Sequence, residues 1–141
     1  MPKQGVPAGG FKTVGQIVGT NKLSFRADQN AEDIAVELLS SHLSGGPVLD
    51  SSGKLVGFIS EFDILRAYEA RKDIGGLRAL DIMTKNPITV DESTAIDEAL
   101  RIMRENHWLN LPVRRNGVVE YSVTRHDLLR AYTGIGLGPE S

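Results

Sequence analysis

Residues Ser60–Tyr68 read SEFDILRAY, and Thr124–Tyr132 read TRHDLLRAY. The two stretches stand sixty-four positions apart; Asp, Leu, Arg, Ala and Tyr recur in register, and the opening hydroxyl is kept as Ser60 or Thr124. A chain of 141 residues that repeats a nine-residue phrase points to an internal duplication, and the match extends outward on both sides. Upstream, Leu23-Ser24-Phe25 corresponds to Ile88-Thr89-Val90, both with β character. Each is followed by apolar residues spaced i, i+3, i+4, i+7, namely Ala31, Ile34, Ala35 and Leu38 or Ile96, Ala99, Leu100 and Met103, which predict amphipathic helices. Asn30 and Thr94 are the expected N-caps, each with an Asp three residues on, Asp33 and Asp97.

Pro47-Val48 and Pro112-Val113 then open short strands that turn at Asp50-Ser51-Ser52-Gly53 and at Asn116-Gly117. Asn-Gly between apolar runs is a strong hairpin signal. The repeated phrase starts the last helix of each copy, with Ile64, Leu65 and Tyr68 or Leu128, Leu129 and Tyr132 expected on its apolar face. The chain is thus an α/β (α+β) protein of two β-α-β-β-α repeats, residues 13–74 and 80–134, with a linker at 75–79 and tails at 1–12 and 135–141. A half this small has little core of its own, so the halves are expected to pack face to face with pseudo-two-fold symmetry.

Composition narrows the function classes. Hydrophobic residues make up 40% and charged residues 24% of the chain, ordinary values for a globular domain. A net charge of −2 argues against a broad footprint for nucleic acid or an anionic membrane. With no cysteine there is neither a disulfide framework nor a thiolate metal site. No apolar run approaches the ~20 residues of a membrane span, and the first residues lack the apolar region of a signal peptide, so a cytoplasmic protein is expected. His42, His107 and His126 lack metal-ligand spacing with carboxylates, and no metal is expected; the first two suit surface or capping positions. Trp108 suits burial at an interface better than stacking on a base, and Gly134-x-Gly136-x-Gly138 lacks the strand and helix that a phosphate loop requires. No nucleophile–base pair or carboxylate dyad appears, which argues against an enzyme.

Taken in order, Ile82-Met83-Thr84 with Asn86–Val90, the helix Ala95–Arg104, the strand starts Asn110–Val113 and Gly45–Val48, and Gly57–Ser60 or Tyr121–Thr124 running into Asp63 or Asp127 resemble a tandem pair of CBS domains, the Bateman module. The likeness spans about 120 residues. It implies a non-enzymatic regulatory and sensing module that binds AMP, ADP or ATP, or S-adenosylmethionine, in clefts between the repeats. It also implies a homodimer and a regulated protein partner, with no cofactor as such.

Ser60-x-x-Asp63 and Thr124-x-x-Asp127 have two readings. Each is a helix-capping signature. Each also places a hydroxyl and a carboxylate at a helix N-terminus, where free N–H groups suit a phosphate and a carboxylate can accept from ribose hydroxyls. By the resemblance, one cleft would join Thr124, Arg125, His126 and Asp127 to Thr20, Ser24, Phe25, Gly45, Gly46 and Pro47. The second, weaker cleft would join Ser60, Glu61, Phe62 and Asp63 to Thr84, Ile88, Val90, Asn110, Leu111 and Pro112. Apolar strand residues would sandwich the purine, and Gly45-Gly46 would leave room for it. Glu61 stands where the other copy has Arg125, and a charge ~5 Å from a phosphate at effective dielectric ~20 is worth about 3 kcal/mol, so the Thr124 cleft is expected to be the better site. Tyr121 replaces Gly57 and would either stack on a ring or fill the cleft. The competing reading is a ligand-free scaffold or dimerisation module in which both motifs are caps alone.

Overall fold

The duplication runs through the backbone. The structure, a computed structural model, describes residues 12–134. It divides into two compact units, Leu23–Ile88 (the first unit) and the residues up to Lys22 together with those from Thr89 (the second unit). In the first unit β1 (Phe25–Arg26), α1 (Ala31–Ser41), β2 (Gly45–Leu49), β3 (Leu55–Ser60) and α2 (Glu61–Glu69) are followed by α3 (Ala79–Ile82) and β4 (Thr84–Lys85). The sheet runs β1-β2-β3-β4, with β1 parallel to β2 and the other pairs antiparallel. In the second unit β5 (Val90–Asp91), α4 (Ile96–Asn106), β6 (Asn110–Arg115), β7 (Val118–Thr124) and α5 (Arg125–Thr133) repeat the pattern, with sheet order β5-β6-β7. The architecture is mixed α+β, two small sheets and five α-helices among the described residues.

The segment leading into each repeat packs on the other repeat. Ile96 N–H, at the start of α4, donates to Lys12 carbonyl at 3.1 Å, and Ala31 N–H, at the start of α1, donates to Leu77 carbonyl at 2.9 Å. Val14 and Ile17 join the second unit's core, and Asn21 bridges to Ser122 of β7. Exchange of lead-in segments satisfies backbone donors that a helix start otherwise leaves free.

That exchange also explains a capping expectation that fails. Asn30 caps α1 as its position predicts, its Oδ1 accepting from Glu32 N–H at 2.8 Å and Asp33 N–H at 3.3 Å. Thr94 does not cap α4: the cap position is Ala95, and Thr94 Oγ1 instead accepts from Asp91 N–H at 3.1 Å. Asn30→Ala is expected to cost about 1 kcal/mol in urea denaturation, and Thr94→Ala clearly less, because the Thr94 hydroxyl closes a turn rather than a helix end. His42 and His107 end α1 and α4 as left-handed C-caps, with φ of 58° and 56°.

The hairpins form as predicted. Asp50 Oδ1 accepts from Ser52 N–H and Oγ and from Lys54 N–H, contacts that hold its carboxyl below the usual carboxylate range, the Ser52 hydroxyl contributing most. Asn116 and Gly117 both take positive φ, 54° and 78°, as a tight two-residue hairpin turn requires.

The first unit's core gathers Phe25, Ile34, Leu38, Val48, Ile59 and Ile64, and the second's Val14, Val90, Ile96, Leu111, Val123 and Leu128 among others. Trp108 is half-buried against that second core. Three expectations are corrected. Leu65 and Tyr68 of α2, Leu129 and Tyr132 of α5, and Leu100 of α4 are exposed; Ile64 with Ala67, and Leu128 with Ala131, fill the core-facing positions. A helix of nine residues turns only a narrow stripe toward its sheet, so apolar residues flanking that stripe stay in solvent. Gly134 is the left-handed C-cap of α5; Gly136, Gly138, the tail predicted at 135–141 and all but Lys12 of the tail predicted at 1–12 lie outside the described residues. No helix among the described residues is long and apolar enough to cross a membrane.

Candidate functional site

The repeated phrase marks the step from β3 into α2 and from β7 into α5. Ser60 (φ −118°, ψ 167°) and Thr124 (φ −105°, ψ 162°) are still extended, and the helix begins at the next residue. Both junctions are reciprocal caps. Thr124 Oγ1 accepts from Asp127 N–H at 3.0 Å, while Asp127 Oδ2 accepts from Thr124 N–H at 2.9 Å. Ser60 Oγ accepts from Asp63 N–H at 3.3 Å, and Asp63 Oδ2 accepts from Ser60 N–H at 2.8 Å.

Each carboxylate also gathers a lead-in threonine and an arginine one helical turn on. Thr20 Oγ1 donates to Asp127 Oδ1 at 2.8 Å, Thr20 N–H reaches Oδ2 at 3.4 Å, and Arg130 pairs with Oδ1. Thr84 Oγ1 donates to Asp63 Oδ1 at 3.4 Å, and Arg66 pairs with the same oxygen. A carboxylate has about four lone-pair sites, and Asp127 uses all of them. Asp127 is fully buried, and the Arg130 side chain is 23% exposed against 63% for Arg66, so the second unit's cluster is the drier of the two.

The two units differ in how they fill the same space. A Cβ built on Gly57 would stand 2.4 Å from Met83 Sδ, and one built on Gly19 would stand 2.2 Å from Tyr121 Cδ2. Met83 and Gly19 hold the same place in the repeat, as do Gly57 and Tyr121, so bulk has moved from the lead-in segment to the strand. Tyr121 therefore fills its unit. It is 7% exposed, its hydroxyl donates to Val14 carbonyl at 3.0 Å, and burial pushes its phenol pKa up. A second exchange lies alongside. The Phe58 ring packs over Gly45 in the first unit, whereas the second has Ser122 and Asn110 at those register positions. Asn110 Oδ1 accepts from Asn21 Nδ2 at 2.9 Å, and Ser122 Oγ is buried without a hydrogen-bond partner.

Around the caps the expected residues fall into three groups. Thr20, Thr124 and Asp127 come together in the second unit, with Arg125 and His126 exposed on the first turn of α5; Ser60, Asp63 and Thr84 come together in the first, with Glu61 and Phe62 exposed on α2. Ser24 and Ile88 are exposed at the two ends of the first unit, while Gly46, Pro47 and Pro112 are buried on their strands. Phe25, Val90 and Leu111 are buried in the cores of their own units. The Phe58 ring stands over Gly45 and the Phe25 ring over Gly46. Sequence reasoning missed Arg66, Arg130 and Asn21; the arginines were signalled by their own recurrence three residues after each Asp, whereas nothing in the repeat marked Asn21.

The CBS domain family matches residues 14–70 and 79–134. A curated relative, the uncharacterized protein YlbB of Bacillus subtilis, is 30% identical over 100 residues, covering 70% of this chain and 68% of its own. Other curated relatives are longer: the chain spans 18% of one and 24% of another, an inosine-5'-monophosphate dehydrogenase of Nitrosopumilus maritimus. Among solved structures, CBSX2 in complex with AMP is 29% identical with a TM-score of 0.76, covering 89% of this chain and 98% of that one. The CBS domain pair of protein MJ0100, in complex with 5'-methylthioadenosine and S-adenosyl-L-methionine, is 27% identical with a TM-score of 0.76, covering 86% and 96%. The paired strand-to-helix junctions, each closed by hydroxyl, carboxylate and lead-in threonine, are thus accounted for by descent: the chain belongs to the CBS domain family, as a tandem pair.

Proposed function

We propose that this chain is a non-enzymatic regulatory module that binds an adenosine-containing nucleotide of the AMP, ADP or ATP class at the start of α5 and passes the signal to a protein partner. One observation carries the reading: Thr20, Thr124 and the buried Asp127 converge at a helix N-terminus whose first turn exposes Arg125 and His126. The likeness to CBS pairs in complex with AMP and with S-adenosyl-L-methionine supports the ligand class. The helix dipole and Arg125 attract a phosphate, while ribose hydroxyls take over acceptor sites on Asp127 now used by Thr20. Because Thr20 belongs to the N-terminal lead-in, that exchange loosens the lead-in and gives a partner something to read. Coupling of this kind is typically worth about 1–3 kcal/mol. The start of α2 is the poorer site, since Glu61 there repels phosphate.

The test is thermal melting with AMP, ATP and S-adenosylmethionine in turn. Ligand at a hundred times its dissociation constant adds ~2.7 kcal/mol of stability. Thr20→Val keeps the fold and reduces the response, and Asp127→Asn removes it, while Asp63→Asn leaves it in place. A response lost with Asp63→Asn and kept with Asp127→Asn overturns the assignment. A second reading, a ligand-free scaffold, is favoured by the saturation of both carboxylates, and flat melts with every nucleotide would establish it.

A further inference from the structure

The turn between β6 and β7 carries a chemistry that the rest of the chain avoids. Asn116 and Gly117 are exposed at its tip, and a Cβ built on Gly117 would meet nothing within 4 Å. Neither the Asn116 carboxamide nor the Gly117 N–H makes a hydrogen bond among the described residues. The Gly117 nitrogen can therefore give up its proton to base, and glycine has no side chain to stand between that nitrogen and Asn116 Cγ.

Every other asparagine is barred from the same encounter. Asn21 and Asn110 are buried, and Asn21 Nδ2 donates to Asn110 Oδ1. Asn30 Oδ1 caps α1, and the N–H that follows it, on Ala31, donates to Leu77 carbonyl. Asn106 Nδ2 donates to Ile102 carbonyl, and the His107 N–H that follows donates to Met103 carbonyl. Asn86 precedes Pro87, which has no N–H at all. The first hairpin turns on Asp50 instead, whose Oδ1 is held by Ser52 and Lys54.

We propose that Asn116 is a site of spontaneous covalent modification, its carboxamide converted through a cyclic imide closed by the Gly117 nitrogen. Base removes the Gly117 proton, and the nitrogen attacks Asn116 Cγ. A C–N bond forms there, the bond from Cγ to Nδ2 breaks, and Nδ2 leaves as ammonia with the proton returned to it. Water then opens the imide at either carbonyl. Opening at the former side-chain carbonyl leaves aspartate. Opening at the backbone carbonyl leaves isoaspartate, with the main chain now running through Cβ and Cγ. One water enters, one ammonia leaves, and nothing is oxidised or reduced.

The two products share a charge and differ in the backbone. Each adds one negative charge to a chain whose net charge is −2. Aspartate tolerates the left-handed conformation of this turn. Isoaspartate lengthens a two-residue turn whose flanks, Arg115 and Val118, are register partners, and the turn is what fixes a hairpin's register. Arg115 also fastens β6 to the lead-in: its Nε donates to Glu92 Oε2 at 2.7 Å, and its guanidinium reaches Gly15 carbonyl at 3.5 Å. The isoaspartyl form therefore loosens the hairpin tip together with the lead-in it holds. This proposal is independent of the nucleotide reading.

Peptide mapping by mass spectrometry tests it, on the full-length protein kept folded in mildly alkaline buffer without nucleotide. The peptide holding Asn116 is expected to exchange its amide NH2 for OH and to separate into two forms, of which one accepts a methyl group from an isoaspartate-specific methyltransferase. The other five asparagines stay intact over the same period. On isoelectric focusing the whole chain moves toward acid by one charge. Asn116→Asp shows that shift from the outset and keeps the native melting profile, whereas the isoaspartyl fraction of the aged chain melts at lower temperature. Asn116→Gln, which would have to close a larger ring, stays unmodified. An Asn116 left intact in the folded chain, or altered only once urea unfolds it, overturns the proposal, and so does modification spread evenly over the asparagines. An isoaspartyl fraction that melts like the native chain overturns the link to the lead-in.

Discussion

Asp127→Ala will destabilise the protein by about 3–5 kcal/mol, the range for removing one partner of a buried ion pair. Alanine there withdraws the acceptor from Thr20 Oγ1, Thr20 N–H, Thr124 N–H and Arg130 together, in a place with no solvent to replace it. Arg130 is held mostly in the interior and its Nε already lacks a partner, so the orphaned guanidinium has little water to turn to. Asp63→Ala makes the same chemical change in the other copy and will cost only about 1–2 kcal/mol, roughly a lost helix cap with some lost hydrogen bonding. Arg66 is mostly in water already and relaxes into it. Urea denaturation of the two variants side by side measures the difference, which exposure alone sets. Equal losses would show that the two clusters are equally wet.

Tyr121→Ala will cost about 3–5 kcal/mol, as large aromatic truncations in a core do. The ring fills the hollow over Gly19 and its hydroxyl donates to Val14 carbonyl, so both packing and a buried hydrogen bond are lost. Gly19→Met alone is also damaging, because a Cβ at residue 19 has nowhere to go while the ring is present. The combined Gly19→Met and Tyr121→Gly variant rebuilds the arrangement of the other copy, where Met83 covers Gly57. It will recover at least about 2 kcal/mol of the summed losses, a coupling within the range for residues in contact. Full recovery is not expected, since Val14 carbonyl loses the Tyr121 hydroxyl and keeps only the Ile17 N–H at 3.2 Å. Simple addition of the two losses would show that the exchange of bulk is not compensatory.

The fold was legible at the level of its elements because each has a local cause. The caps at Asn30, Ser60 and Thr124, the Asn116-Gly117 turn and the i, i+3, i+4, i+7 spacing act within a few residues, and the structure has each of them. Thr94 misled because its competitor, the carbonyl of Lys12, stands over eighty residues away in the chain. Leu65, Tyr68, Leu129 and Tyr132 misled because apolar identity tells which residues can be buried, not which ones the sheet beneath a short helix has room to cover. At the candidate site, the hydroxyl and carboxylate of each junction were readable from spacing alone, and so was Thr20 or Thr84 through the family likeness. The arginines that saturate the carboxylates, and the aromatic rings that fill the glycine hollows, were not.

What the amino-acid order determined unaided is the duplication and its strand-to-helix corners, since helix starts and tight turns depend on contacts within four residues. What only the tertiary structure decided is which lead-in carbonyl closes which helix start, Lys12 at α4 and Leu77 at α1. The same holds for the trade of Met83 and Gly57 for Gly19 and Tyr121. Those pairings join residues far apart in the chain, and excluded volume and unsatisfied hydrogen-bonding groups enforce them only once the sheets exist to bring the partners within reach.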